Sequence, residues 1–401
     1  MRLSNVDDIS GIQQSYSEIK RINYIKELNG YKPDELNSIK TVFDIVDDVF
    51  TEGTEELVVF AVDAISFHYF SNDVFPLVKN KNDKFTTVLS SVFPTTTSSS
   101  WLTVVTGSWP SEHGVYGTSF YQEELKGNYL WINNTLNIND MRTFLGKDDP
   151  FNLTLTPKQT IFQKLQKKNV VSYYLGNHGV SELNPIRHHL TLGAEHIKPA
   201  WDYPNSKLQP RLLLDNLLKQ VPALLNEKNK KKLIWIYVDF DDYIHEYGYS
   251  CLTSSKVWDD IFSFWDGYKS EKRKFILMSD HGQVKQDKTS FNALRESQIP
   301  SLFSSNTGGA GRVLYFYPQI GKEKKALGWV ESMVKDTGII LRKDDLVKYK
   351  LLQPGFVAPQ RIGDIIAIAG SSSFKSAGNM YEYEHGALTE HEMFVPFVMQ
   401  I

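Results

Sequence analysis

Residues 87–114 read TVLSSVFPTTTSSSWLTVVTGSWPSEHG, and the punctuation of this stretch decides the fold class. An apolar run (Val88, Leu89, Val92, Phe93) stops at Pro94. Three threonines and three serines follow, and then Trp101, Leu102, Val104 and Val105 recur at helical spacing up to Gly107. That order predicts a strand or loop, a hydroxyl-rich turn, and a short helix closed by glycine. Hydroxyls at a helix N-terminus sit among unpaired N–H groups at the positive end of the dipole, where an anion is favoured. The plainer account is that Thr95 to Ser100 only cap the helix. The rest of the chain decides between the two.

Outward from this stretch, short β-branched runs alternate with helical patterns. Leu57–Val62 (LVVFAV) ends in Asp63, and Val170–Leu175 (VVSYYL) forms a second such run. Leu233–Val238 (LIWIYV) runs into Asp239, Asp241 and His245, and Phe275–Met278 (FILM) runs into Ser279-Asp280-His281-Gly282. Helical periodicity covers Leu212–Leu225 and the segment bearing Trp258, Ile261, Phe262 and Trp265. Alternation of this kind predicts an α/β fold with a mostly parallel sheet, whose strand ends meet at one edge where ligands bind. Three strands ending in acids, two with a histidine close behind, place a polar cluster at that edge.

The remaining segments are read as additions to this core. Residues 1–56 form a helical N-terminal extension, with Ile19, Ile22, Ile25 and Leu28 at helical spacing before a break at Pro33. The core takes residues 57–282 and 361–401, with an irregular insertion at about 115–155. Residues 283–360 read as a small α/β insertion: a glycine turn, the strand RVLYFY, a helix over 322–335, and short strands near Ile339 and Tyr349. IIAIA at 365–369 is read as a further core strand, and the chain ends in a closing strand after His385-Gly386.

Composition narrows the function. With 401 residues, 41% hydrophobic and 23% charged, this is a globular chain large enough for one big domain with insertions. A net charge of −3 gives no basic footprint for a long nucleic acid. The single cysteine, Cys251, excludes an internal disulfide and a cysteine zinc site. No apolar run reaches ~18 residues, which argues against a membrane span. The N-terminus lacks the apolar core of a signal peptide, so a cytoplasmic location is expected and the sequons at Asn133 and Asn152 carry no weight. His178, His188, His189 and His196 match no metal-ligand spacing and are read as surface or pocket residues.

Collected, the strand-end and loop candidates are Asp63, Thr97, Asp241, His245, Asp280, His281 and His385. Carboxylates and imidazoles without thiolates suit zinc or manganese in a hydrolytic site. Two divalent ions ~4 Å apart clamp both oxygens of a phosphoryl displacement.

These residues carry a resemblance to the alkaline phosphatase superfamily, and within it to the type I phosphodiesterase/nucleotide pyrophosphatase branch. The motifs are Val62-Asp63; Thr97 nine residues before Thr106-Gly107; Pro110-Ser111-Glu112-His113-Gly114; Asp241, His245 and Gly248; Ser279 to Gly282; Arg361 to Asp364; and His385-Gly386. The resemblance implies a three-layer sandwich with a mixed, mostly parallel central sheet and inserted cap segments. It implies two divalent ions, zinc or manganese, one held by Asp241, His245 and His385 and the other by Asp63, Asp280 and His281. Thr97 is then the nucleophile, and His113 is structural.

The chain departs from the family in three places. Asp63 is followed by Ala64 where the family often has glycine. Ser98-Ser99-Ser100-Trp101 stands for Phe-Pro-Asn-His, and Thr118 stands for the phosphate-steadying Asn. The tail HGALTEHEMFVPFV resembles PglZ-type members of the superfamily.

The expected reaction is hydrolysis of a small-molecule phosphodiester or related phosphoryl or phosphonyl substrate, possibilities that include nucleotide-like compounds. The alternatives are a phosphomonoesterase or sulfatase-like hydrolase, or a metal-bound, non-catalytic PglZ-like module. A serine hydrolase elbow is absent, and Gly308-Gly309-Ala310-Gly311 precedes a strand, which is the wrong context for a nucleotide-binding turn. The segment 94–107 has no Lys or Arg, which favours a singly charged diester. Phe67, Trp101, Trp109, Tyr116, Phe120 and Tyr243 are the expected stacking surface for its leaving group, and Arg187 is a distant cation that folding can bring near.

Overall fold

Alternate residues of strand β1 (Glu56–Val62) enter two different cores. Val58, Phe60 and Val62 pack on one side, and Leu57, Val59 and Ala61 on the other. A strand apolar on both faces must be covered on both faces, and that requirement produces three layers. The computed structural model describes residues 9–78, 83–122, 127–130, 158–176, 189–197, 209–227, 230–287, 294, 298–376 and 381–400. Asn133, Asn152, His178, Arg187, His188 and most of the stretch 115–155 lie outside the described residues.

The central sheet has seven strands. In chain order these are β1, β2 (Lys84–Ser90), β5 (Val170–Gly176), β6 (Glu195–Ile197), β7 (Lys231–Val238), β8 (Arg273–Met278) and β13 (Phe394–Gln400). Their spatial order is β2-β13-β8-β1-β7-β5-β6. All neighbours from β8 to β6 pair in parallel, while β13 pairs antiparallel with both β8 and β2. The fold is therefore the mixed, mostly parallel α/β sandwich expected. One face is covered by α2 (Val42–Thr51), α3 (Thr97–Thr106) and Ile161–Gln166, the other by Pro210–Leu218 and Val257–Tyr268. The helix expected over 212–225 is interrupted, and Val221–Leu225 is a separate turn, because Pro222 has no N–H to continue the ladder.

A second sheet of six antiparallel strands corrects the reading of the insertions. It is built from β3 (Ser119–Gln122), β4 (Gly127–Leu130), β9 (Gly308–Ala310), β10 (Val313–Phe316), β11 (Gly338–Leu341) and β12 (Ile365–Ala369), in the order β11-β12-β10-β9-β3-β4. IIAIA thus joins this second sheet and not the central one; an apolar run alone does not say which sheet it completes. The stretch read as irregular supplies a hairpin to the same sheet. Tyr349, expected in a strand, ends the helix Lys343–Lys348, whose start is fixed by Asp345 accepting the Arg342 N–H at 2.9 Å.

The N-terminal extension, which begins with α1 (Ile9–Asn23), packs against the core. Asp34 accepts the side chain of Asn23 at 2.6 Å, its N–H donates to Ser90 Oγ at 2.7 Å, and Tyr31 N–H donates to Leu388 O at 2.9 Å. Among the described residues no helix is long and apolar enough to cross a membrane.

Candidate active site

Parallel register places the acids. Val62 lies opposite Val238 and Ala61 opposite Met278, so β1, β7 and β8 end level. Asp63, Asp241 and Asp280 follow within three residues of those ends and gather at one edge of the sheet. β2 leads to the same edge and on to Thr97, and His385 arrives there just before the chain turns into β13.

Two groups of three result: Asp63, Asp280 and His281, and Asp241, His245 and His385. Within each, the ligand-type atoms lie within 4.8 Å of one another; five of the six residues are buried, and the Asp241 side chain is 13% exposed. The His281 and His385 rings stack at 4.1 Å between centroids, so the groups share a wall. All seven residues singled out from the sequence thus come together.

Each histidine presents the same face. Nδ1 of His245 lies 2.7 Å from Tyr383 O, that of His385 2.9 Å from Thr95 O, and that of His281 3.2 Å from Gly282 O. A backbone carbonyl accepts only, so Nδ1 carries the proton and Nε2 turns toward the carboxylates, the orientation a metal requires. His245 Nε2 lies 3.2 Å from Asp241 Oδ2, and His281 Nε2 lies 3.4 Å from Asp280 Oδ2 and 3.5 Å from Asp63 Oδ1.

The carboxylates supply the test of fit. Asp63 Oδ1 and Asp280 Oδ2 are fully buried and accept no hydrogen bond. Burial and the surrounding acids push both groups well above the ordinary carboxylate range. Two buried orphan oxygens beside an imidazole lone pair are costly unless a cation joins them. Asp241 is different. Burial opposes its charge, but His245 and His385 overcome that and hold it well below the usual range, while Asp241 and Glu384 in turn raise His245, against its own burial, to about 10. Both groups have the donor chemistry to hold a divalent ion.

The hydroxyl-rich turn does not work as a cap. Thr96 is the N-cap of α3, and its side chain makes no capping bond. Thr95 Oγ1 donates to Ala387 O, Ser98 Oγ to Gly117 O and Ser99 Oγ to Val115 O, while Ser100 Oγ pairs with Ser91 Oγ. Thr96 Oγ1 is buried without a hydrogen-bond partner, and Thr97 Oγ1 reaches the cluster, 3.1 Å from His281 Nε2.

Other motif residues have structural jobs. His113 accepts Val115 N–H on Nδ1 and meets Thr103 Oγ1 on Nε2, and burial pushes it down to about 3. Arg361 donates to Gly114 O at 2.6 Å, and Thr118 Oγ1 donates to Gly309 O. In the tail, Glu392 accepts from Ala387 N–H, Thr389 and the buried Arg312, which ties down the loop behind His385.

Sequence reasoning missed several neighbours. Trp101 Nε1 and Tyr237 Oη both donate to Asp63 Oδ2, at 3.1 and 2.5 Å. Gln283 Nε2 donates to Asp241 Oδ1 at 2.5 Å, and Tyr381 stacks on His245 with centroids 4.3 Å apart. The one sequence signal was polar atoms on otherwise apolar elements, as with Tyr237 near the end of LIWIYV. The proposed aromatic platform is corrected. Phe67, Trp101, Tyr116, Phe120 and Tyr243 are at most 3% exposed, because each completes the core beneath the site and none is left for a ligand to cover. Trp109 is half-buried under Lys40.

Residues 57–388 match the family described as type I phosphodiesterase / nucleotide pyrophosphatase. The chain belongs to that family. It is accordingly a phosphoryl hydrolase of a metal-dependent class. Murine ectonucleotide pyrophosphatase/phosphodiesterase 5 superposes with a TM-score of 0.61 at 14% identity, over 86% of this chain and 88% of that one. An inactive variant of that murine protein in complex with AMP gives 0.61 at 13%, over the same shares. Phosphonoacetate hydrolase from Sinorhizobium meliloti, in complex with phosphonoacetate, gives 0.59 at 15%, over 86% and 90%. At such identities the likeness is one of fold. Among curated protein sequences, none matches.

Proposed function

We propose that this family member hydrolyses small phosphodiesters or related phosphoryl and phosphonyl compounds, with Thr97 as nucleophile and two divalent ions, zinc or manganese, in the two Asp/His groups. The observation that carries the reading is Thr97 Oγ1, a hydroxyl set against His281 in a group with orphaned carboxylate oxygens. When bound, the ions supply Lewis acidity that lowers the pKa of a hydroxyl and balances charge on the phosphoryl oxygens.

The chain's own residues do the rest. Thr97 sits at the first turn of α3, where the dipole favours negative charge on its oxygen and on the substrate. Its Oγ forms a bond to phosphorus as the bond to the leaving alcohol breaks, and water then releases the threonine. Thr95 O fixes the His385 ring, and the Ala64 N–H, donating to Asp280 Oδ1 at 3.2 Å, fixes Asp280. The buried guanidinium of Arg312 is committed to Glu392 and that of Arg361 to Gly114 O, so neither adds a cation for the second charge of a monoester.

The test is turnover of bis-p-nitrophenyl phosphate and p-nitrophenyl phosphate with added zinc or manganese. The diester is expected to show the higher kcat/KM. A monoester preference of about tenfold, about 1.4 kcal/mol, would leave the superfamily assignment and overturn the diesterase reading.

A further inference from the structure

Asp63 is held in an unusual way. Its carboxylate is wholly buried, and the two oxygens have opposite fates. Oδ2 accepts Trp101 Nε1–H from α3 at 3.1 Å and Tyr237 Oη–H from β7 at 2.5 Å. Oδ1 accepts nothing and lies 3.5 Å from His281 Nε2. A carboxylate oxygen has about two lone-pair sites. Both on Oδ2 are therefore taken, and only Oδ1 remains for a cation.

The two donors are rigidly placed. The Trp101 and Tyr237 rings meet edge to face at 5.8 Å, and Trp101 packs against Trp235 in the same way at 6.3 Å. All three rings are buried, so neither donor can swing away to release Oδ2. Trp101 is also one of the positions where the chain departs from its family's pattern.

We infer that Trp101 and Tyr237 are positioning residues that hold Asp63 as a one-oxygen ligand and thereby set this group's preference for a four-coordinate ion such as zinc over a six-coordinate ion such as manganese. Zinc is satisfied by four ligands at tetrahedral positions. Manganese is served by more oxygens, which a carboxylate supplies when both its oxygens are free. Two donors on Oδ2 remove that option and also fix the direction in which Oδ1 points. The inference rests on the reading of Asp63, Asp280 and His281 as a metal site.

The experiment measures zinc and manganese dissociation constants by chelator competition for the full chain and for Tyr237→Phe and Trp101→Phe. Both replacements keep the ring and remove the donor. Zinc affinity is expected to fall by about 10- to 100-fold, with manganese affinity falling less, so that the zinc-to-manganese ratio drops by about tenfold. In the cobalt-substituted protein the visible absorption should weaken in the variants as the coordination number rises. Loss of both affinities by one common factor, as mere loosening of the fold would give, overturns the inference, as does an unchanged ratio with unchanged affinities. An unaltered chain that binds no divalent ion overturns the metal-site reading itself, a distinguishable failure.

Discussion

The two Asp/His groups lie side by side with the same kinds of side chain, yet they solve opposite electrostatic problems. Asp241 sits between His245 and His385 with the Gln283 amide on Oδ1, so its charge is balanced by the protein. Asp63 and Asp280 share one imidazole, that of His281, which burial and His385 hold well below its usual pKa. That group has two acids and no protonated partner. The first group is compensated from within, and the second asks for a cation. Burial alone does not distinguish them; the ratio of carboxylates to imidazoles does.

The sharpest division expected is between chemistry and binding. Thr97→Ala should lower turnover by about 10³-fold or more, while metal analysis still finds both ions. Intact turnover would remove Thr97 from the mechanism. Next comes a pair of replacements with opposite signs in metal-stripped protein. Asp241→Asn breaks a buried pair and should cost about 3 kcal/mol, whereas Asp280→Asn removes an uncompensated charge and should cost nothing or stabilise. Denaturant titration of the two variants decides it, and equal losses would erase the contrast drawn between the groups.

Metal addition should act through the needy group. Zinc at about 100 times its dissociation constant should raise stability by about 2.7 kcal/mol. The pH dependence gives a sign. Asp63 and Asp280 are raised in the fold, so without metal their stabilising effect is present below the ordinary carboxylate range and lost as pH rises through their folded values. Asp241 is lowered, so its contribution appears above that range and is lost as pH falls. Chelated protein should therefore lose stability on the alkaline side relative to zinc-loaded protein, and parallel melting curves across pH would contradict this. The smallest effect concerns Ala64, which adopts φ of 66° where the family often has glycine. Ala64→Gly relieves left-handed strain and should add about 1 kcal/mol, read as a higher denaturation midpoint.

What the sequence disclosed was local or periodic. The runs LVVFAV, LIWIYV and FILM announce buried parallel strands, and the acid after each follows from where such strands end, so the central sheet and its polar edge were legible. The spacing of Thr97 to Thr106 singled out Thr97 from three neighbouring threonines as the proposed nucleophile. Its place in space, with Oγ1 beside His281 while Thr95 and Ser98 to Ser100 bond elsewhere, depends on loops far along the chain. Trp101 and Tyr237 meeting on Asp63 was not legible, because the contact joins α3, β7 and the end of β1 and leaves no local pattern. The same holds for IIAIA: its composition demands burial, and only its partners β10 and β11 decide in which sheet. The aromatic residues misread as a substrate platform were judged by proximity in sequence, while packing put them beneath the site.

The antiparallel strand β13 carries a consequence for how the molecule comes into being. It lies between β2 and β8, so Lys84–Ser90, made early, has no partner in the central sheet until Phe394–Gln400 is made. Ser91, directly after β2, anchors to Asp280 O and precedes the Thr97 turn. During synthesis from the N-terminus Thr97, the proposed nucleophile, therefore lacks this anchor's final setting while five of the six Asp/His residues already exist, and β2 waits as an exposed edge. Until Phe394–Gln400 is made, the nascent chain depends on whatever shields a bare strand in the cell.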